Sequence, residues 1–215
     1  TIYAYGGIGN FQGVGNGLVV DKSFTSEGIV HVMGGKGDDW GDNAGGAGIR
    51  VGGDFSLVTG GEIIAGGGRG GEPSSGGRGG KGGAGIAVTG DFTAGDKTMI
   101  QTAGGVGGNA NGMSPDPSGN GGAGIYARGN FKAYFVTNAK GGNSGTGATA
   151  GAGGHGIEVL SSFTNGGWDS TGEDYPTQLY ATGGNSLANG ISGGHGVHTG
   201  TFTNISGATV TATGG

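Results

Sequence analysis

The sequence predicts an all-β chain wound as a parallel β-solenoid (β-helix) of about six coils, with glycine-rich connections stacked on one side. Three observations carry this prediction. Glycine accounts for 63 of 215 residues, several times its usual share of about 7%. A phrase built on Gly-Ile, Gly-Leu or Gly-Val and closed by phenylalanine recurs six times, and a second phrase, a short β-rich run ending in Gly-Gly, recurs seven times. Recurrence at this scale is the signature of stacked units that cannot bury an apolar face alone.

The first phrase reads GNGLVVDKSFT, GGAGIRVGGDFS, GGAGIAVTGDFT, GGAGIYARGNFK, GGHGIEVLSSFT and GGHGVHTGTFT. Its phenylalanines, Phe24, Phe55, Phe92, Phe131, Phe163 and Phe202, stand 31 to 39 residues apart. The apolar residue after each glycine is Ile49, Ile86, Ile125 or Ile157 in the central copies. Together with Val51, Val88 and Val159, these isoleucines show the period of two that marks a strand with one face inward. Stacked directly, the phenylalanines would form an internal ladder at strand spacing, about 4.7–4.9 Å. A sandwich of hairpins would also repeat strands, but its turns run to two to five residues, and many connections here exceed that.

In the second phrase, alignment on the double glycine gives an apolar column of Ile2, Val30, Ile63, Ile100, Thr137, Leu179 and Val210. A smaller column lies two residues on: Ala4, Val32, Ala65, Thr102, Ala139, Ala181 and Ala212. The intervening column is mostly polar or amphipathic, so this strand also has one face in and one out. The coil units run approximately 6–35, 36–68, 69–105, 106–142, 143–184 and 185–215, as one repetitive domain.

Between the phrases the chain keeps a rhythm of three. From Gly67 it reads GGR GGE PSS GGR GGK GGA, and from Gly141 GGN SGT GAT AGA GGH. Three residues per turn is the period of polyproline-II geometry, which makes no internal hydrogen bonds. Glycine-only faces would let such helices approach and bond one another, as polyglycine II, and so satisfy their backbone groups. A flexible Gly/Ser linker is the alternative for such a composition. The run MSPDPS at residues 113–118 breaks the rhythm.

Composition excludes several classes. Four prolines cannot supply a collagen repeat. No apolar run approaches the length of a membrane span, and no signal-peptide pattern is present. Zero cysteines remove disulfides and thiolate metal sites. A net charge of −5 argues against nucleic acid. Basic residues all lie at or before Lys140, leaving the remainder acidic. No cofactor is expected.

Few residues carry potential chemistry. Asp54 and Asp91 precede phenylalanine one coil apart, where a carboxylate pair could serve glycoside hydrolysis. The same column holds Ser23, Asn130, Ser162 and Thr201, so a polar turn ladder is the expectation and no catalytic residue is assigned. His155 and His195 replace the alanine of GGAG in consecutive coils; they are weak metal candidates, and with no carboxylate column beside them a solvent-facing ladder is expected. Asp39 lies in GGKGDDWGD, which partly matches a calcium-binding nonapeptide but occurs once. The largest departure from the repeat is NGGWDSTGEDYP, where Trp168, Asp169, Glu173, Asp174 and Tyr175 combine aromatic and carboxylate groups suited to binding a cell-surface glycan, the other reading being a decorated turn that packs on its own coil.

The phrases GGAGIRVGGDFS and GGAGIAVTGDFT, followed by IIAGGGRGG and IQTAGGVGG, resemble the glycine-rich β-solenoid repeats of bacterial autotransporter passengers and surface adhesins. The triplet-phased connections resemble the polyglycine-II layers of some phage tail-fibre adhesins. These resemblances imply an extracellular or cell-surface stalk, adhesin or aggregation surface, and not an enzyme. Neither end shows a polar cap, and uncapped strands invite stacking. The expectation is a fibrous structural or adhesive protein that self-associates end to end or belongs to a longer filament, without membrane insertion by this segment. A receptor- or glycan-binding adhesin is the alternative, with a polysaccharide-active β-helix enzyme or an ice-binding protein as remoter ones.

Overall fold

In a computed structural model, residues 1–7, 14–38, 43–74, 76–110, 117–167, 177–187, 191–205 and 207–215 are described. Seventeen strands follow in order: β1 Ile2–Tyr5, β2 Leu18–Val20, β3 Phe24–Ser26, β4 Ile29–Met33, β5 Ile49–Val51, β6 Phe55–Leu57, β7 Glu62–Gly66, β8 Ile86–Val88 and β9 Phe92–Ala94. They continue as β10 Met99–Ala103, β11 Ile125–Ala127, β12 Phe131–Ala133, β13 Val136–Lys140, β14 Ile157–Asn165, β15 Gln178–Thr182, β16 Val197–Asn204 and β17 Thr209–Thr213.

All strand pairings are parallel, and they form two sheets stacked in register, consistent with a parallel β-solenoid. The first sheet has the order β1-β4-β7-β10-β13-β15-β17. It reproduces the expected columns residue for residue: Ile2 pairs Val30, Val30 pairs Ile63, and the series runs on through Ile100, Thr137 and Leu179 to Val210. The second sheet carries two columns, β2-β5-β8-β11 and β3-β6-β9-β12. The long strands β14 and β16 join them, because each spans both columns. Short corners such as Gly52–Asp54 separate the columns in earlier repeats; in β14 a register shift between Val159 and Ser162 takes the place of the corner.

The core lies between the sheets. Phe55, Phe92, Phe131 and Phe163 are at most 1% exposed, as are Ile49, Ile86, Ile125 and Ile157. Ring centroids from Phe55 to Phe163 are 4.7–4.8 Å apart with interplanar angles of 6–13°. The ladder therefore takes its spacing from the strand separation. Two of the expected core rings depart from it. Phe24 is only half-buried, and Phe202 is 42% exposed. Their registers are as expected, Phe24 on Phe55 and Phe202 on Phe163. Among the described residues each strand pairs on one side only, β3 with β6 and β16 with β14, and the rings tilt to 32° and 57° respectively.

Between the sheets' strands, the glycine segments bond to one another. The Gly46 amide donates to the Gly35 carbonyl and Gly68 to Gly46. The series then passes through Gly83, Gly105, Gly122, Gly142, Gly154, Gly184 and Gly194 to Gly215, each bond at 2.8–2.9 Å. A second set links each segment to its equivalent in the next repeat, as Gly34 to the carbonyl of Gly66, Gly67 to Ala103 and Gly104 to Lys140. These bonds satisfy buried backbone groups that no strand ladder reaches. Pro117 and Ser118, at the end of the run that breaks the triplet rhythm, are also tied in: Pro117 bridges Thr149, and the buried Ser118 hydroxyl donates to the Gly145 carbonyl at 2.8 Å.

Candidate functional site

At five positions in the third place of a glycine triplet, a side chain of the preceding repeat accepts the backbone amide. Asn16 Oδ1 accepts the Ala47 amide at 2.7 Å, Asn109 that of Thr146, Asn120 that of Ala152 and Asn143 that of Asn185, the last three at 2.9 Å. His155 does the same through Nδ1, accepting the His195 amide at 3.0 Å. The ladder before phenylalanine follows the same logic: Asp54 Oδ1 accepts the Asp91 amide at 2.9 Å, and Asp91 Oδ1 accepts that of Asn130 at 2.7 Å. Asp54 and Asp91 thus each hold the next repeat's backbone, which is the polar turn role the column suggested.

His155 and His195 stack nearly parallel, 5° between planes and 5.1 Å between centroids. They sit where the glycine segments turn into β14 and β16. Three residues further on, Glu158 lies between the core residues Ile157 and Val159 and His198 between the half-buried Val197 and Thr199, and the two pair directly across those strands. His198 approaches both other rings, at 4.8 Å from His155 and 5.5 Å from His195. The result is a two-by-two array of three imidazoles and a carboxylate. Sequence reasoning missed half of it. HGIE and HGVH place the second pair three residues after the first, but Glu occurs once in that position and so forms no column to notice.

A groove runs from this array along the outer face of the second sheet. One part, of about 400 Å³, is lined by Lys81, Ala123, Tyr126 and Glu158. The adjoining part, of about 280 Å³, shares Lys81, Ala123 and Glu158 and reaches Asn120, His155 and His195. The Tyr126 ring and Glu158 lie on paired strands, β11 and β14.

Burial holds the His155 pKa below its ordinary 6.5. His198, His195 and Lys81 add to this, while Glu158 opposes it. The depressed value matches the hydrogen bond, since Nδ1 can accept an amide only when unprotonated. The native chain therefore prefers neutral His155, whereas the unfolded chain takes up a proton near 6.5. The stability contributed is complete above pH 6.5 and is lost as pH falls through that value toward the lowered native one. In metal-free buffer, urea midpoints are expected to fall between pH 7.5 and 5. His155→Asn, which keeps an acceptor like that of Asn16, should flatten that slope; an equal slope in the variant would refute this origin.

The remaining expected site residues, Trp168, Asp169, Glu173, Asp174, Tyr175 and Asp39, lie outside the described residues. Gly166 and Gly167, which precede the first five of these in the sequence, are both at positive φ. In comparisons with family models, curated proteins and solved structures, none matches the chain.

Proposed function

We propose that this chain is an extracellular fibrous element, structural and adhesive, whose repeats continue end to end into a longer filament. In this reading the strands form about six solenoid coils. The connections are polyglycine-II-like rods stacked on one side, which support the solenoid as a second, hydrogen-bonded layer. The glycine-to-glycine bonds running from repeat to repeat support the rods, as does the three-residue phase of the sequence.

The observation that carries the proposal is the match between the two terminal repeats. On one side Phe202, Val197, Val210 and Ala212, together with His195, His198 and Thr199, line an open hollow of about 360 Å³. On the other, Ile2, Ala4, Leu18 and Phe24 occupy the same columns, with Ile2 40% exposed. A second copy placed in register would set Phe24 on Phe202 and β1 beside β17, continuing every ladder of the chain. Such edges are templates for pairing. The long, polar, weakly charged flanks suit a surface filament, and the resemblance to surface-adhesin repeats points the same way.

The isolated chain is expected to form rods whose length grows with concentration, visible by negative-stain microscopy and light scattering. Phe202→Lys, which puts a charge on the open face, should hold the chain monomeric with an unchanged circular dichroism spectrum. Compact monomers of the unaltered chain at all concentrations would overturn the proposal. A glycan-binding adhesin is a second reading, favoured by the Tyr126 groove, where an aromatic ring adjoins Lys81 and Glu158.

A further inference from the structure

The array at the start of β14 and β16 has more in it than amide capping requires. Asn16 stands in the same column as His155 and caps the next repeat equally well, yet its repeat carries Val19 where the later two carry Glu158 and His198. One donor atom from each of His155, Glu158 and His198 lies within 4.8 Å of the other two. We propose that these three side chains bind a divalent transition-metal ion of the zinc, nickel or copper class.

Two imidazoles and one carboxylate are a donor set for such ions. Calcium and magnesium take all-oxygen shells instead. In a four-coordinate zinc site, ligand atoms about 2.0–2.2 Å from the ion stand about 3.4 Å from each other. Closing from 4.8 Å therefore asks each donor to move inward by about 1 Å. The backbone need not follow, because the Glu158–His198 pairing fixes it. Both of these side chains project outward from the sheet, where side-chain rotation can supply the motion. Water takes the fourth position, or His195, whose ring already lies on that of His155. Of the charged groups facing the array, Glu158 favours a cation, and Lys81, across the groove, opposes it.

His155 must change role to take part. With Nδ1 accepting the His195 amide, the neutral ring carries its proton on Nε2. Metal binding at Nε2 shifts that proton to Nδ1 and exchanges the hydrogen bond for the metal bond. The His195 amide is thereby released. Loading should thus be reported by faster hydrogen exchange at the His195 amide, a readout that adventitious binding elsewhere on the surface would not move.

The test is titration of the full, tag-free chain with Zn²⁺ and with Ni²⁺ by calorimetry, with Co²⁺ absorption to report four-coordinate geometry. One ion per chain is expected, with no response to Mg²⁺ or Ca²⁺. Glu158→Gln and His155→Asn should each weaken binding by about tenfold or more, and His155→Asn preserves the amide acceptor, so it leaves the fold in place. The absence of stoichiometric binding would overturn the proposal. So would affinity unchanged in both variants, or an unaltered His195 amide on loading.

Discussion

Phe92→Ala is expected to cost about 3–5 kcal/mol of unfolding free energy, the range for emptying a buried aromatic site. The ring is fully buried and sandwiched between Phe55 at 4.7 Å and Phe131 at 4.8 Å. Its removal deletes two stacking contacts as well as one side chain, each pair contributing about 0.5–1.5 kcal/mol beyond area. The neighbours cannot collapse into the space, because their strands are held at fixed separation by pairing on both sides. In a stack whose stability is a sum over nearest neighbours, a weak central interface also divides the chain into two cooperative units. Denaturant unfolding should therefore show a lower midpoint and a shallower or two-phase transition. The same change at Phe202, 42% exposed, should cost far less. Equal losses at the two positions would contradict the ladder.

Gly105→Ala should be at least as damaging, although it adds a single methyl group. A Cβ at Gly105 would overlap the carbonyl oxygen of Gly68, with the Gly68 carbonyl carbon and the Gly67 oxygen close behind. Nothing there is the end of a flexible side chain. The Gly68 carbonyl is held by the Gly83 amide at 2.8 Å, and Gly105 itself donates to Gly83 and accepts from Gly122. Relief requires parting the segments and breaking several of these bonds, so a loss of about 3 kcal/mol or more is expected, beyond ordinary overpacking. Gly28→Ala is the control, since a Cβ there meets nothing within 4 Å; its effect should stay within about 0.5 kcal/mol. Thermal melts of the two variants side by side decide the matter. A tolerated Gly105→Ala would mean that the glycine segments do not pack as closely as their hydrogen bonds imply.

The strand columns were legible because period two and phrase alignment encode the same fact twice. Ile63 and Ile100 had to be inward by alternation and had to be neighbours by phase, and both hold. Phe202 shows where this logic stops: the phrase identifies its column, but burial depends on a neighbour beyond it. The His155 array was half legible. The stacking of His155 on His195 follows from the repeat, whereas the approach of His198 to both depends on where the side chain of the third residue after His195 comes to lie in space, which no periodicity records. The capping bonds of Asn16, Asn120 and Asn143 were likewise invisible, because an isolated asparagine in a glycine-rich run looks like a linker residue.

By itself, then, the sequence determined the all-β class, the parallel stacking, the register and the inward columns of the central repeats, because each of these is a repeat-to-repeat relation and recurrence states it directly. The tertiary structure alone decided which glycine carbonyl meets which amide, where the polar side chains of one repeat cap the next, and that a carboxylate stands beside the stacked imidazoles. Those are relations between positions of different phase, set by the path of the connections in space, and a one-dimensional pattern carries no measure of that path.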